Sequence, residues 1–253
     1  MRYSPGMSEP APPTGNATTA ALQAELSAVG PLVTEAIDLP WSGRRLSITR
    51  PTNMDDLLDR IANDPEQNLP YWAELLPSGI ALADAILREP ALLRGVRTLE
   101  LGCGAGSTAA AAILAGANLT VTDYAGDALT LCRYNALVNA GAEPAVAIQL
   151  NWRGLDLDFL SGVGPGYGVV LAADALYETR DIAPLLTMVT RVVAPGGMLW
   201  LAEPGRAVAA RFIEAAVNAG WQDRSSRHAG PWPDPADDGV VVGLHRLHRP
   251  PRD

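Results

Sequence analysis

Lysine is absent from this sequence of 253 residues, so all 19 basic residues are arginines, set against 28 Asp and Glu. The resulting net charge of -9 disfavours a nucleic-acid partner, because phosphates bind a basic surface. Two cysteines are too few for a disulfide framework and favour a reducing compartment, by default the cytoplasm. No apolar run is long enough to span a membrane, and the first residues do not resemble a secretory signal.

Two explanations account for the missing lysines. Codon bias in a GC-rich genome would replace lysine by arginine, and the abundance of alanine and glycine agrees with this. Alternatively, an enzyme that modifies lysine would avoid modifying itself. We favour the codon explanation, because it requires no function.

The composition also predicts how the chain is organised. Hydrophobic residues make up 48% of it, which excludes wholesale disorder and allows a sizeable core. Residues 1–18 are rich in Pro, Gly, Ser and Thr and predict a disordered tail. Residues 19–68 predict an N-terminal extension: a helix over 19–29, a β-hairpin that turns at residues 41–43, and a short helix after Asn53.

From residue 69 to residue 253, helices and strands alternate in what we expect to be one domain. Such alternation predicts a parallel sheet with helices on both faces. The last two strands have no helix between them and should pair antiparallel. We therefore predict an α/β, Rossmann-like, doubly wound sheet of seven mostly parallel strands with an antiparallel last strand. The predicted strands are 96–101, 119–123, 145–150, 168–174, 196–203, 221–229 and 240–249, and the predicted helices are 77–89, 107–116, 126–141, 182–193 and 205–220.

A glycine-rich loop over residues 102–106 follows the first of these strands. Glycines permit a tight turn and let a ligand approach the backbone, while the next helix presents its N–H groups to an anion. Asp123 ends the following strand, where a carboxylate can accept both hydroxyls of a ribose. A nicotinamide dinucleotide would require Gly or Ala where Ser107 stands. The order of strand, loop, helix, strand and acid predicts a different ribose-containing cofactor.

Two later pairs of residues also follow strands, at the carboxyl edge where ligands of such sheets bind. After the third strand, the Trp152 indole could cover an adenine and the Asn151 amide could bond the exocyclic amine of the base. After the fourth strand, Asp174 and Tyr177 stand where a substrate would meet the cofactor. Each pair has a structural alternative: a Trp that caps the core, and a helix-capping Asp beside a packing Tyr.

The Gly-x-Gly-x-Gly spacing of the loop, preceded by Glu100, resembles motif I of class I S-adenosylmethionine-dependent methyltransferases. Within that class the chain is similar to the seven-β-strand protein-lysine methyltransferases, and most similar to the electron-transfer-flavoprotein β-subunit lysine methyltransferase branch. The resemblance covers about residues 69–215, and its more particular parts are the Asp-x-x-Tyr and Pro-Gly-Arg segments. The segments that carry it are YWAELLPSG, LELGCGAG, TDYAGDAL, LNW, AADALYE and AEPGR.

The resemblance implies that the cofactor is S-adenosylmethionine, with its methionine end over residues 102–106 and its ribose held by Asp123. The sulfonium would tolerate the acidic Glu100 nearby. Asp174 and Tyr177 would face the substrate as catalytic residues, and we expect Asp174 to orient an amine and stabilise the positive charge that develops on its nitrogen. The complete predicted cofactor set is Trp72, Glu100, Gly102, Gly104, Gly106, Asp123, Asn151, Trp152 and Ala173.

The predicted function is S-adenosylmethionine-dependent N-methylation of a lysine side chain in a protein substrate. The alternatives are methylation of a small-molecule nitrogen and a catalytically silent cofactor-binding module. The chain departs from the branch at Leu76, where a second Trp is usual, and in the hairpin and the 232–239 loop. We expect no metal site, because His245 and His248 point to opposite faces of a strand and no third ligand has suitable spacing.

Overall fold

The computed structural model describes residues 15–61, 69–154 and 156–251. The helices are α1 (Gly15–Leu26), α2 (Met54–Ile61), α3 (Pro77–Arg88), α4 (Ser107–Leu114), α5 (Gly126–Ala140), α6 (Leu157–Gly162), α7 (Ile182–Val192) and α8 (Ala207–Asn218). The strands are β1 (Leu32–Leu39), β2 (Arg44–Pro51), β3 (Arg97–Leu101), β4 (Asn118–Asp123), β5 (Val146–Gln149), β6 (Tyr167–Ala173), β7 (Val193–Glu203), β8 (Gln222–His228) and β9 (Val242–His248). Most of the predicted tail, residues 1–14, and residues 62–68 of the predicted extension lie outside the described residues.

Seven strands form one sheet in the order β5-β4-β3-β6-β7-β9-β8, and β1 pairs with β2 in a separate antiparallel hairpin. The five strands from β3 to β7 are parallel to one another, whereas β9 is antiparallel to both of its neighbours, β7 and β8. The predicted doubly wound sheet with an antiparallel last strand is therefore confirmed. Because β4 and β5 lie on one side of β3 while β6 and β7 lie on the other, the edge beside β3 is the switch point where ligands of such sheets bind.

Alternate strand residues pack into two cores on opposite faces of the sheet. On one face, Leu171 and Trp200 pack with α3, α4 and the hairpin. On the other face, their chain neighbours Val170 and Leu199 pack with α7 and α8. Because both faces are covered, the interiors of β6 and β7 are apolar.

Helix α5 attaches the hairpin through two asparagines that are one turn apart. Asn135 accepts a hydrogen bond from Thr49 N at 2.9 Å and donates to Thr49 O at 2.7 Å. Asn139 repeats both bonds with the backbone of Ser47, at 2.7 and 2.8 Å. The two amides therefore take the place of a neighbouring strand along β2. Asn135 also donates to Ala105 O at 2.7 Å, so the same side chain joins the hairpin to the glycine loop.

A buried Asp84–His228 pair attaches the hairpin turn to α3 and to the end of β8. The Asp84 carboxylate accepts hydrogen bonds from Trp41 N at 2.9 Å and Ser42 N at 2.7 Å, and it lies 3.1 Å from His228 Nε2. Because Gly230 N donates to His228 Nδ1, the imidazole proton is on Nε2 and faces Asp84. The Trp41 ring stacks on the imidazole at 3.9 Å. One carboxylate thus joins three segments that are distant in the sequence.

The element bounds depart from the prediction at several places; among them, α1 ends at Leu26 and not at residue 29, and β7 begins at Val193 and not at residue 196. Helix α1 begins at Gly15, so residues 15–18 are helical and do not belong to a tail. Helix α6 has no predicted counterpart; it is short, and it is capped by Asp156, whose side chain accepts a hydrogen bond from Phe159 N. The predicted hairpin and short helix are present as β1, β2 and α2. The extension packs on α3 and α5, so these contacts do not separate it from the rest of the chain. The predicted domain boundary at residue 69 therefore stays a prediction.

A membrane span has no candidate in this part of the chain. None of the helices in the described ranges is long and apolar enough to cross a bilayer. The longest is α5, with 15 residues, and its first turn contains Asp127.

Asp84→Ala should lower the free energy of unfolding by about 3 kcal/mol, because it removes the acceptor of three buried hydrogen bonds. Urea denaturation measures this loss. The control is Asp38→Ala, which breaks an exposed ion pair with Arg45 and should have little effect. Equal losses in the two variants would contradict the role given to Asp84.

The same pair predicts a pH dependence. Burial raises the pKa of Asp84, but hydrogen bonds from His228, Ser42 and Trp41 outweigh burial and hold it below its usual range. The contribution of Asp84 to stability is therefore present above the ordinary aspartate pKa and is lost as the pH falls through the lowered folded-state pKa.

Candidate active site

A cavity of about 910 Å³ opens at the carboxyl edge of the sheet, around the ends of β3, β4, β5 and β6. Its volume is typical of a small-molecule site. Every predicted site residue except Gly106 lines it. The lining residues from the prediction are Trp72, Glu100, Gly102, Gly104, Asp123, Asn151, Trp152, Ala173, Asp174 and Tyr177.

The glycine loop between β3 and α4 contains three left-handed residues, Gly102, Gly104 and Gly106, with φ of 74°, 49° and 85°. A Cβ on Gly104 would lie 3.3 Å from the carbonyl oxygen of Trp72, and a Cβ on Gly106 would lie 2.6 Å from Cα of Cys132 in α5. Gly106 therefore serves the close packing of α5 on the loop. It is not among the residues that line the cavity, and its predicted cofactor contact stays a prediction.

Asp123, at the end of β4, braces this loop. Its Oδ2 accepts a hydrogen bond from Gly104 N and its Oδ1 accepts one from Ala125 N, both at 2.9 Å. Burial raises the pKa of the carboxyl in spite of these two bonds. Asp123 thus lines the cavity and also holds the turn that shapes it, a second role for which its sequence position gives no signal.

Glu100 is a buried carboxyl in the cavity wall, only 1% exposed. Its Oε2 has no hydrogen-bonding partner among the described residues. Burial, and then the charge of nearby Asp123, raises the pKa of Glu100 well above its usual range. A buried polar atom without a partner is unfavourable, so a cationic or proton-donating ligand group would complete this part of the site.

The turn after β5 holds Asn151 and Trp152 in the cavity wall. The Asn151 Oδ1 accepts a hydrogen bond from Arg153 N at 3.0 Å, which shapes the turn. The Arg153 guanidinium lies 5.7 Å from the Trp152 ring centre and donates to Asp181 at 2.8 Å. Arg153 therefore holds the indole in the cavity wall, and the contact of Trp152 with an adenine stays a prediction.

Asp174 and Tyr177 follow β6, on the opposite side of β3 from Asp123. Asp174 has a φ of 54°, the only positive value at a non-glycine residue in the described ranges. Such conformations concentrate at functional sites, where the surrounding structure holds them. The Asp174 side chain is buried and forms an ion pair with Arg206, which immediately precedes α8.

Tyr177 packs its ring against two other flat groups, the Tyr71 ring and the Arg206 guanidinium. Its ring stacks on Tyr71 at 4.7 Å with 9° between the planes, and the Arg206 guanidinium lies 4.6 Å from its centre. Burial raises the pKa of the Tyr177 phenol, so it keeps its proton at neutral pH. Tyr71 and Arg206 also line the cavity, although neither is among the predicted site residues. The Pro-Gly-Arg segment was the available signal for Arg206.

His245 supports the turn that carries Arg206. Its Nδ1 lies 2.8 Å from Asp223 and its Nε2 lies 3.6 Å from Glu203. Glu203 Oε2 in turn accepts hydrogen bonds from Gly205 N and Arg206 N, at 2.7 and 3.1 Å. The imidazole thus has two carboxylate neighbours and a positioning role beside the site.

Known proteins resemble this chain in both sequence and fold. Residues 99–199 match a protein-family profile described as "Methyltransferase domain". The electron transfer flavoprotein beta subunit lysine methyltransferase of Xenopus laevis is 31% identical over 148 residues, 54% of this chain and 54% of that protein. The ubiquinone biosynthesis O-methyltransferase of Methylocella silvestris is 29% identical over 141 residues, 54% of this chain and 52% of that protein. A solved ribosomal protein L11 methylase from Lactobacillus delbrueckii subsp. bulgaricus has a TM-score of 0.53 at 16% identity, covering 70% of this chain and 81% of that one.

The profile match extends from β3 into β7, and so includes the glycine loop, Asp123 and Asp174. This chain carries a class I S-adenosylmethionine-dependent methyltransferase domain. S-adenosylmethionine is the cofactor of that class and so of this domain. The chain spans about half the length of the curated relatives it matches. At 16% identity, the solved methylase supports the fold of the methyltransferase domain alone.

The residues of the cavity fit this cofactor. S-adenosylmethionine carries an ammonium and a sulfonium, and Glu100 Oε2 is a buried carboxyl oxygen without a hydrogen-bonding partner among the described residues. The space that a Cβ on Gly102 would enter is open, so a ligand can approach the backbone there. Asp123 and Trp152 line the same cavity, where a ribose and an adenine require an acceptor and a flat apolar surface. The residues that line the cavity therefore fit the ammonium, the ribose and the adenine of the cofactor, and the contact that each residue makes stays a prediction.

Gly106→Ala should destabilise the methyltransferase domain more than Gly102→Ala. Both variants place a Cβ on a left-handed residue, at a cost of about 1–2 kcal/mol. Only Gly106→Ala adds overlap with Cys132, which should cost roughly 1–3 kcal/mol more. Urea unfolding without ligand measures the difference, and equal losses would show that the contact with α5 does not matter.

Cofactor binding by the methyltransferase domain should release a proton and strengthen as the pH rises. The raised pKa of Glu100 favours its protonated form, and a cation bound beside it favours the ionised form, so binding expels the proton. Calorimetry with S-adenosylhomocysteine, in buffers of different ionisation enthalpy, measures the release. Glu100→Gln should reduce both the release and the pH dependence, whereas an unchanged release would show that Glu100 does not respond to the ligand.

Proposed function

We propose that this protein is an N-methyltransferase that uses S-adenosylmethionine to methylate a lysine side chain of another protein. One observation carries the proposal: two chemically different ends share one cavity. The glycine loop follows β3 and Asp123 ends β4 on one side of it, while Asp174 and Tyr177 follow β6 on the other side. The first end suits the cofactor. The second presents a buried carboxylate and an aromatic ring, which favour a cationic amine.

At the cofactor end of the cavity, three residues would each contact a different part of S-adenosylmethionine. Asp123 would accept the ribose hydroxyls, Trp152 would cover the adenine, and Glu100 would face the positive charges. Bound S-adenosylmethionine supplies a methyl group whose C–S bond breaks as a nitrogen lone pair forms the N–C bond. Because such a displacement is in line, the chain contributes mainly by aligning the amine with that methyl group.

Asp174 would act on the acceptor amine. An unperturbed lysine has a pKa of about 10.4 and must lose a proton before it attacks. A carboxylate favours the ammonium, so Asp174 is poorly suited to be the base; it would bind and orient the protonated amine, whose proton then leaves to water. During transfer it would stabilise the positive charge that develops on the nitrogen. Tyr177 would form a wall of the acceptor channel.

The rim of the cavity favours a protein acceptor. Leu69 and Tyr71 are 47% and 40% exposed there, and apolar residues exposed beside a site are typical of protein-binding surfaces. The lysine methyltransferase from Xenopus laevis supports the same acceptor. The ubiquinone biosynthesis relative supports an oxygen acceptor, which has no cation to match Asp174.

Cys103 and Cys132 are buried free thiols, and we infer that the protein works in the reducing cytoplasm.

Incubation with a cell extract and S-adenosylmethionine bearing a labelled methyl group tests the proposed function. Label in a protein band, recovered as methyl-lysine after hydrolysis, supports it. Label confined to small molecules favours a small-molecule methyltransferase instead. Cofactor binding without any transfer favours a catalytically silent cofactor-binding module.

Asp174→Ala and Asp123→Ala should impair different steps, methyl transfer and cofactor binding, because the two acids lie at different ends of the cavity. Asp174→Ala should slow methyl transfer by ~10²–10³-fold and leave cofactor affinity unchanged. Asp123→Ala should weaken S-adenosylhomocysteine binding by ~1.5–3 kcal/mol. Calorimetry measures affinity, label incorporation measures transfer, and Asp158→Ala, exposed on α6, is the control. The assignment fails if Asp174→Ala keeps more than about half of the transfer, or if its whole defect is weaker cofactor binding.

A further inference from the structure

The acceptor end of the cavity already holds a cation, the guanidinium of Arg206. It forms an ion pair with the Asp174 carboxylate and lies 4.6 Å from the centre of the Tyr177 ring. These are the two groups to which the proposed function assigns the acceptor amine. A lysine ammonium and this guanidinium would therefore compete for one place.

The two partners of the ion pair differ in how firmly they are held. The Asp174 side chain is 4% exposed, and the backbone N of this residue donates to Ala202 O at 2.9 Å. The Arg206 side chain is 34% exposed, and the turn that carries it is fixed separately by the hydrogen bonds to Glu203. The guanidinium can thus swing into solvent on its long side chain, while the turn and the carboxylate stay in place.

Charge decides what can replace the guanidinium. Asp174 is buried, and a buried carboxylate that loses its positive partner is strongly unfavourable. A phenol or an alcohol would leave that charge uncompensated. An ammonium supplies the charge and is attracted to the face of the Tyr177 ring as well. Burial also lowers the pKa of Arg206, so the guanidinium regains solvation when it leaves.

We propose that Arg206 is an internal stand-in for the acceptor: its guanidinium fills a cation site at Asp174 and Tyr177, and a protonated amine displaces it. The inference rests on the proposed function and adds the basis of its specificity. The site admits cationic nitrogen acceptors and excludes neutral oxygen acceptors, because only the former keep Asp174 paired. Arg206 is thereby a specificity-determining residue.

The absence of lysine from the chain permits a direct test. Arg206→Lys introduces the only side-chain amine of the protein at the proposed site, and its charge keeps Asp174 paired. With S-adenosylmethionine this variant should methylate itself: the N–C bond forms, the sulfonium C–S bond breaks, and the amine proton leaves to water. Intact-mass spectrometry should detect added methyl groups, and peptide mapping should assign them to position 206. The rate should not depend on protein concentration, since the reaction is intramolecular.

The matched control is Arg211→Lys, which introduces a lysine at an exposed position of α8. It should gain no methyl group under the same conditions. Equal methylation of the two variants would overturn the proposal. The proposal also fails if Arg206→Lys gains no methyl group at position 206 while the protein without the substitution, tested in parallel, methylates an acceptor in the extract.

A second experiment requires no methyl transfer. Arg206→Ala vacates the cation site, and ethylammonium, a small mimic of the end of a lysine side chain, should fill it. At about ten times its dissociation constant, it should raise the melting temperature by about 3–6 °C. The unmodified chain should show no such rise, because Arg206 occupies the site. The double variant Asp174→Asn/Arg206→Ala should show none either, because the carboxylate charge is gone.

The two experiments separate this proposal from the proposed function. A rise restricted to Arg206→Ala, together with self-methylation of Arg206→Lys, supports both. The same rise without methylation of any acceptor refutes the proposed function and supports the cation site. A melting temperature that responds equally in Arg206→Ala and the unmodified chain overturns the cation site, whatever the protein methylates.

Discussion

Three carboxyl groups are buried at the carboxyl edge of the sheet, and the site is organised by how each charge is compensated. Glu100, Asp123 and Asp174 are 1%, 7% and 6% exposed, and they end or follow the adjacent strands β3, β4 and β6. Asp123 has backbone N–H groups, Asp174 has Arg206, and Glu100 Oε2 has no partner among the described residues. Because an uncompensated buried charge is strongly unfavourable, Asp123 holds the glycine loop, Asp174 is paired with Arg206, and the pKa of Glu100 is raised.

Backbone polar groups impose a similar requirement on the N-terminal extension. The edge of β2 is satisfied by the amides of Asn135 and Asn139, and Asp84 satisfies the N–H groups of the hairpin turn. These bonds have a functional consequence, because Asn135 also bonds Ala105 in the glycine loop. The extension is thus coupled to the cofactor end of the cavity and is part of the support of the site.

Much of the fold could be predicted because its signals are local. Apolar strands that alternate with helical segments indicated the sheet, and the missing helix before the last strand indicated its antiparallel pairing. Helix α6 escaped prediction because six residues are too few to display a helical period. Helix α1 packs on α5 through Leu26 and Leu131, a tertiary contact that composition does not reveal.

By itself the sequence determined the fold class, the glycine loop and the placement of Asp123, Asp174 and Tyr177 at strand ends. All of these follow from the order of residues along one chain. Only the tertiary structure decided that Arg206 pairs with Asp174, that Glu100 Oε2 has no hydrogen-bonding partner in the described part of the chain, and that Gly106 packs against α5. The physical reason is that each of these depends on which side chains meet between separate elements, and packing sets those encounters without leaving a periodic trace in the sequence.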